Sequence, residues 1–135
     1  MIVVDTSAWI EYFRNGTASV VKSIDSSLSS NLIATGDLIF CEVMQGIKIK
    51  KERDYVGDLL LSLPRYNMVG IECAEKAAEN FRSLRSKGIT VRKTIDVIIG
   101  TFCAENRFQL IHNDHDFDLM ASCIGLEIFS LKAAR

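Results

Sequence analysis

The sequence predicts an α/β fold in which a parallel sheet is covered on both faces by helices. Short apolar runs alternate with longer amphipathic stretches along the whole chain, as in strands joined by helical crossovers. The runs that read as strands have apolar centres, Ile2 to Val4 in MIVVD and Leu110-Ile111 in QLIHN, as expected of strands buried on both faces. With 135 residues, 48% apolar residues and a single proline, the chain fits one domain spanning 1–135. A domain of that size buries about two thirds of its unfolded surface.

Residues 2–5 read as the first strand. Residues 6–13 read as a short helix with Trp9, Ile10 and Phe13 at helical spacing. A helix over about 18–30 carries Val20, Val21, Ile24 and Leu28 on one stripe, and 32–34 is a short strand. Thr35-Gly36-Asp37 reads as a turn in which Asp37 is the N-cap of a helix reaching about Lys50, with Gly46 inside it. A second helix, over about 52–62, puts Val56, Leu59, Leu60 and Leu63 on the helical period and stops at Pro64. A strand at 66–69 leads into a long helix over about 73–87, ended by Gly88. Thr94 reads as the cap of a helix over about 95–106, followed by a strand at 109–112, a short helix at 117–122 and a last strand at 127–130.

No uncharged apolar run approaches the ~18 residues of a membrane span, and the start MIVVDTS lacks the basic region of a signal peptide. A cytoplasmic protein is expected. Cys41, Cys73, Cys103 and Cys123 form no CxxC pair and lie beside apolar or small residues, which favours buried free thiols over zinc ligands or disulfides. The net charge of −1 does not exclude a polyanionic partner. Basic residues cluster in KIKKER, in FRSLRSK and at Arg92 and Lys93, although a solvated helix face is the ordinary reading of any one cluster.

Four acidic residues stand where apolar elements should hold none: Asp5 closing MIVVD, Glu42 in LIFCEVM, Asp96 in TIDVIIG and Asp114 just after QLIHN. Burying a carboxylate is costly unless something positive or hydrogen-bonding compensates it. A shared divalent cation compensates all four at once. In a parallel sheet, ligands gather beyond the carboxyl ends of the strands. Asp5 and Asp114 fall at two such ends, and Asp96 falls in the first turn of its helix, where the dipole favours negative charge. Removing these four from the 17 acidic residues leaves 13 against 16 basic ones, a balance of +3.

Hard oxygen donors suit Mg²⁺ or Mn²⁺, whereas zinc would require histidine or cysteine, and His112 and His115 are not spaced to pair on a helix face. Such a site activates water and stabilises charge on a phosphoryl group, so phosphodiester hydrolysis is the natural reaction class. Thr6 and Ser7, directly after Asp5, offer hydroxyls for a water or a phosphate oxygen, or simply cap the helix. NDHDFD supplies Asp114 as the main ligand, Asp116 as a further one and Asp118 as a solvated helix residue; Asn113 orients substrate or makes a turn. An EF-hand is excluded, because Leu119 stands where its glycine belongs and Gly125 where its glutamate belongs. Taken singly, Glu42 could face solvent and Asp96 could be an ordinary first-turn charge. The joint occurrence carries the argument.

The ordered set DTSAWIEYF, CEVMQG, TIDVIIGTFCAE and LIHNDHDFD resembles the PIN-domain ribonucleases, most closely the VapC toxins of VapBC toxin–antitoxin modules. The resemblance implies a three-layer α/β/α sandwich with a parallel five-stranded sheet and a Mg²⁺- or Mn²⁺-dependent endoribonuclease cutting transfer or ribosomal RNA. Residue by residue, Asp5, Glu42, Asp96 and Asp114 match the acidic quartet, Thr6 or Ser7 its hydroxyl position, and Asn113 the position before the last acid. It further implies a homodimer and a VapB-type antitoxin whose C-terminal segment occupies a groove near the active site. The helix of 52–63 and the Trp9 to Phe13 face could line that groove, or could be ordinary core. Three other functions compete: a PIN nuclease of RNA processing without an antitoxin, a phosphatase using Asp5 as nucleophile, and a binding module without catalysis in which the acids merely cap helices. Phosphatases of that kind carry a second aspartate two places on, where Ser7 stands. The small size, with nothing appended, favours the toxin.

Overall fold

The computed structural model describes residues 1–132, so 133–135 of the expected domain lie outside the described residues. Five parallel strands, β1 (Ile2–Val4), β2 (Ile33–Gly36), β3 (Arg65–Tyr66), β4 (Gln109–Ile111) and β5 (Glu127–Ile128), form one sheet in the order β3-β2-β1-β4-β5. Seven helices connect them among the described residues: α1 (Thr6–Phe13), α2 (Ala18–Ser29), α3 (Asp37–Gln45), α4 (Lys50–Leu61), α5 (Gly70–Ser86), α6 (Thr94–Asn106) and α7 (His115–Ile124). The chain winds outward from β1 to β2 and β3, then returns to β4 on the other side of β1. Right-handed crossovers therefore lay α1 to α4 on one face and α5 to α7 on the other. The packing agrees, since α1 touches α2 and α3, α3 touches α4, and α5, α6 and α7 pack on one another.

The register Val3↔Ala34 and Val3↔Leu110 puts β1 at the centre, and Val3, Val4, Leu110 and Ile111 are fully buried. Their apolar side chains are covered by Trp9 and Ile39 from one helical layer and by Ile99 and Met120 from the other. Helix α6 is the core helix, with Val97, Ile99, Gly100, Phe102 and Cys103 all buried. This is why its sequence is apolar nearly all round. One polar link crosses to α5: the Asn80 amide donates to Thr101 Oγ1 at 3.0 Å, and that hydroxyl donates to the Val97 carbonyl at 2.6 Å.

Several boundaries depart from the sequence expectation, each for a local reason. Helix α3 ends at Gln45 with Gly46 as its C-cap, and does not reach Lys50. The Arg53 guanidinium holds the turn that follows, donating to the Ile47 and Lys48 carbonyls at 3.0 and 2.7 Å. Asp37 is not the N-cap: Gly36 is, and Asp37 is the first helical residue. Its carboxylate accepts from the Leu38 and Met68 N–H groups at 2.9 and 3.0 Å, tying α3 to the segment after β3. A Cβ at Gly36 would lie 2.2 Å from the Met68 sulfur, so any larger residue there would force that buried side chain to move. Likewise Lys93, not Thr94, occupies the N-cap of α6. The edge strands β3 and β5 are two residues each, shorter than expected because each pairs on one side alone. Helix α5 begins three residues earlier than expected, at Gly70.

Burial departs in a few places as well. In α2, Ser23 and Ser27 are buried, while Val21 and Leu28 are half-buried; Ser23 Oγ accepts the Lys132 N–H at 2.7 Å. Ile10 turns outward and is 53% exposed. All four cysteines are free thiols, but Cys103 alone is buried; Cys41 is exposed, and Cys73 and Cys123 are half-buried.

A candidate active site at the carboxyl edge of the sheet

Strand order reverses between β1 and β4, and a crevice at such a reversal, beyond the carboxyl ends of the strands, is where ligands bind in open α/β sheets. Asp5 and Asp114 are the N-caps of the helices that leave those two strands. In each, capping uses a single carboxylate oxygen. Asp5 Oδ2 accepts the Ser7 N–H at 3.0 Å and the Ser7 hydroxyl at 2.6 Å, while Oδ1 is buried without a hydrogen-bond partner. Asp114 Oδ1 accepts the Asp116 N–H at 3.0 Å. The Asp116 side chain turns back, and one carboxylate oxygen each from Asp96, Asp114 and Asp116 lie within 4.8 Å of one another. Asp116, expected as a further ligand, therefore stands in the tightest acidic trio.

Asp96 enters from the first turn of α6 and is buried. Burial, reinforced by the charges of Asp5, Asp114 and Glu42 and opposed by Lys93, pushes its pKa up to about 7. Burial likewise raises Asp5 against the pull of Ser7. Glu42 is raised by burial and by Asp5, against the pull of Thr6 and Lys93. Asp96 thus feels the charges of Asp5, Asp114 and Glu42, and Glu42 that of Asp5, so the four acids are grouped around Asp96, although neither Asp5 nor Glu42 belongs to the close trio of Asp96, Asp114 and Asp116. Glu42 is held at the rim: its Oε1 accepts the Thr6 hydroxyl at 3.1 Å across 36 residues of sequence.

The two hydroxyls after Asp5 therefore donate to carboxylates, where capping would have them accept from the helix N–H groups. Ser7 Oγ also accepts the Asn113 N–H at 2.9 Å, so one hydroxyl fixes the end of β4 against the start of α1. Asn113 is held by its backbone in this contact. Asp118 is not simply solvated: its Oδ1 lies 2.9 Å from His112 Nε2. Because His112 Nδ1 accepts the Asp114 N–H at 3.1 Å, the hydrogen bonds assign the neutral tautomer with the proton on Nε2. The sequence reading missed this orienting role of His112. The available signal was its place between the last strand residue and Asp114.

A fifth embedded acid, Glu11, was also missed, and it goes elsewhere. Its buried carboxylate accepts the Thr17 N–H and hydroxyl at 2.8 and 2.9 Å and pairs with Arg14, organising the turn between α1 and α2. Thr17 is also the main cause of its lowered pKa.

Beside Glu42 lies a groove of about 890 Å³ between α1 and the α3–α4 turn, floored by Phe13, Val43 and Val56 and rimmed by Ile10, Ile49 and Tyr55. Ile49 and Tyr55 are 59% and 69% exposed. The faces named in the sequence reading thus divide, with Trp9, Val56 and Leu60 in the core and Ile10 and Tyr55 on the groove. Among the described residues, no helix is long and apolar enough to cross a membrane.

The family model of the PIN domain matches residues 2–122. The VapC ribonuclease Mb1587 of Mycobacterium bovis and ribonuclease VapC11 of Mycobacterium tuberculosis are each 30% identical to this chain over 134 residues, covering 98% of it and 100% of their own length. Among solved structures, VapBC2 from Rickettsia felis bound to a promoter DNA fragment is similar with a TM-score of 0.77 at 19% identity, covering 98% of this chain and 100% of its own. FitAcB from Neisseria gonorrhoeae gives 0.73 at 15% identity, over 96% of this chain and 97% of its own. At such identities the structural likeness speaks to the fold.

Proposed function

The chain belongs to the PIN domain family, and from that premise we propose that it is a divalent-cation-dependent endoribonuclease and the toxin of a toxin–antitoxin pair, acting in the cytoplasm. The observation that carries the reading is the gathering of Asp5, Glu42, Asp96 and Asp114 from four elements at one sheet edge, with Asp5 Oδ1 buried and unpartnered. The ribonuclease names of its relatives support the reaction class.

A hard dication fits these residues. An orphaned carboxylate oxygen needs a positive partner, and oxygen donors alone select Mg²⁺ or Mn²⁺ over zinc. We assign Asp5, Asp96 and Asp114 as the holding residues, with Asp116 beside them. When bound, the cation would supply Lewis-acid stabilisation of the phosphoryl group and a more acidic water. The chain supplies the rest. Ser7 keeps Asp5 Oδ2 engaged, and the buried, unpartnered Oδ1 is the oxygen that would be left to a cation. Thr6 holds Glu42 by Oε1, leaving Oε2 to take the proton of the attacking water. His112 fixes the start of α7 and thereby the Asp114 carboxylate.

Similar structures include a toxin–antitoxin complex from Klebsiella pneumoniae and VapBC-5 from Mycobacterium tuberculosis, a member of the VapBC family of toxin–antitoxin systems. We assign the groove beside Glu42 to a VapB-type antitoxin segment, which would approach Glu42 from that side, and we expect the toxin itself to be a homodimer. The test is cleavage of single-stranded or looped RNA by the purified chain. Cleavage should require Mg²⁺ or Mn²⁺, stop in EDTA, and fall by orders of magnitude in Asp5→Asn and Asp96→Asn. Undiminished cleavage in EDTA, with contaminating nuclease excluded, contradicts the reading.

A further inference from the structure

From residue 80 to residue 95 the chain holds five cationic residues, Arg82, Arg85, Lys87, Arg92 and Lys93, and no acidic one, although the whole protein carries −1. The segment folds as the last turns of α5, a turn at Gly88 and the entry to α6. It ends at the acidic site. Lys93 is the N-cap of α6, its carbonyl accepts the Asp96 N–H at 3.1 Å, and its charge acts on both Asp96 and Glu42. Yet Lys93, Arg82 and Arg92 are exposed and make no ion pair with any described residue.

The other end of the segment is continuous with this one. Arg82 and Thr94 line a shallow groove of about 420 Å³ between α5 and α6, together with Phe81 and Val97. Phe81 and Arg85 line the adjoining hollow at Gly88, where the Arg85 guanidinium sits 5.9 Å from the Phe81 ring centroid. A cationic strip thus runs from the acidic site along the α5–α6 seam, on the helical layer opposite the groove beside Glu42. An array of unpaired cations beside a cluster of carboxylates, neutralising none of them at contact distance, is suited to a polyanion that passes through the site.

We propose that this strip is the substrate track: Lys93 and Arg92 engage the phosphates next to the scissile bond, and Arg82 and Arg85 engage those further along a single strand of RNA. The proposal rests on the ribonuclease reading. It distinguishes the RNA track from the antitoxin groove, which lies on the other helical layer. Lys93 is here a positioning residue for phosphate.

The test uses the full chain carrying Asp5→Asn, so that RNA is bound without being cut, and a fluorescein-labelled single-stranded oligoribonucleotide titrated across a range of salt concentrations. Each lost phosphate contact should lower the slope of log K against log salt by about 0.7. Arg82→Ala with Arg85→Ala should weaken binding on the order of tenfold at low salt, and Lys93→Ala should lower the slope by one further contact. Lys50→Ala, on α4 and paired with Asp54, should change neither affinity nor slope. Unchanged affinity and slope in the strip variants, with thermal melting intact and RNA still cut by the chain with Asp5 restored, overturn the track and leave the ribonuclease standing. Failure of the wild-type chain to cut RNA in Mg²⁺ or Mn²⁺ overturns both.

Discussion

Asp96 shows how a single residue reports on the site. Its pKa is raised to about 7 by burial and by three neighbouring carboxylates, so without cation the folded chain keeps its proton far above the pH at which the unfolded chain loses it. For an acid raised in this way, the stabilising contribution is fully present below the ordinary value of 3.8 and is lost as pH rises through about 7. Asp5 and Glu42 are raised in the same direction and act with it. Asp96→Asn removes the charge and keeps the shape. In EDTA, the melting temperature of Asp96→Asn relative to wild type should therefore rise between about pH 5 and about pH 8. Divalent cation should raise the wild-type melting temperature more at the higher pH, where it does not compete with the proton. A difference between the two proteins that is flat across that range would mean that Asp96 is not held near neutrality by its neighbours.

Among the elements, α6 depends most on a polar detail. It is apolar nearly all round, and one hydroxyl, Thr101, links it to α5 through Asn80. Thr101→Val keeps the volume but leaves the Asn80 amide without an acceptor in a buried position. The cost should be about 1–3 kcal/mol, read from urea unfolding, with cleavage per folded molecule unchanged. An equal loss in specific activity would show that α6 positions Asp96 through this link as well as through its packing. The helices that carry the other acids are positioned differently. Two of them start on the acid itself, since Asp5 and Asp114 cap α1 and α7, so the same carboxylate that terminates a strand orients the helix leaving it.

At the scale of the molecule, the alternation of strands and helices and the position of the acids were largely legible in the sequence, because both depend on patterns the chain displays openly; the strand order was not. Continuous apolar runs marked the buried strands, and a carboxylate inside such a run is visible without coordinates. The edge strands and helix ends were not legible, because tertiary contacts decide them. The Asp37 carboxylate binds the Met68 N–H 31 residues away, and Arg53 closes on the Ile47 and Lys48 carbonyls just beyond the end of α3. Glu11 shows the limit of counting embedded acids: it is as buried as Asp5 and Asp96, yet its partners are Thr17 and Arg14. The hydroxyls of Thr6 and Ser7 were noticed, but the acceptor of Thr6 was not, since Glu42 lies 36 residues away; that of Ser7 is its near neighbour Asp5.

Two surfaces flank the acids, the cationic strip on one helical layer and, on the other, a groove apolar at its floor but also lined by Arg14, Lys48 and Lys51, and the function proposed above requires them to be separable. Tyr55→Arg and Ile49→Asp alter the exposed rim of the apolar groove without touching the core. They should weaken binding of the cognate antitoxin by about tenfold or more, measured by calorimetry with the purified pair, and leave RNA cleavage by the free toxin intact. Parallel loss of cleavage and antitoxin binding would instead join the groove to the catalytic machinery.

Everything proposed for this site requires carboxylates distant in sequence to hold one hard dication. A titration of Mn²⁺ followed by electron paramagnetic resonance, at neutral pH and without RNA, tests it most directly. Wild type should deplete the free-ion signal, while Asp5→Asn and Asp96→Asn should each bind at least about tenfold more weakly, as expected when a metal site loses a supporting charge. Equal Mn²⁺ affinity in all three proteins would contradict the account.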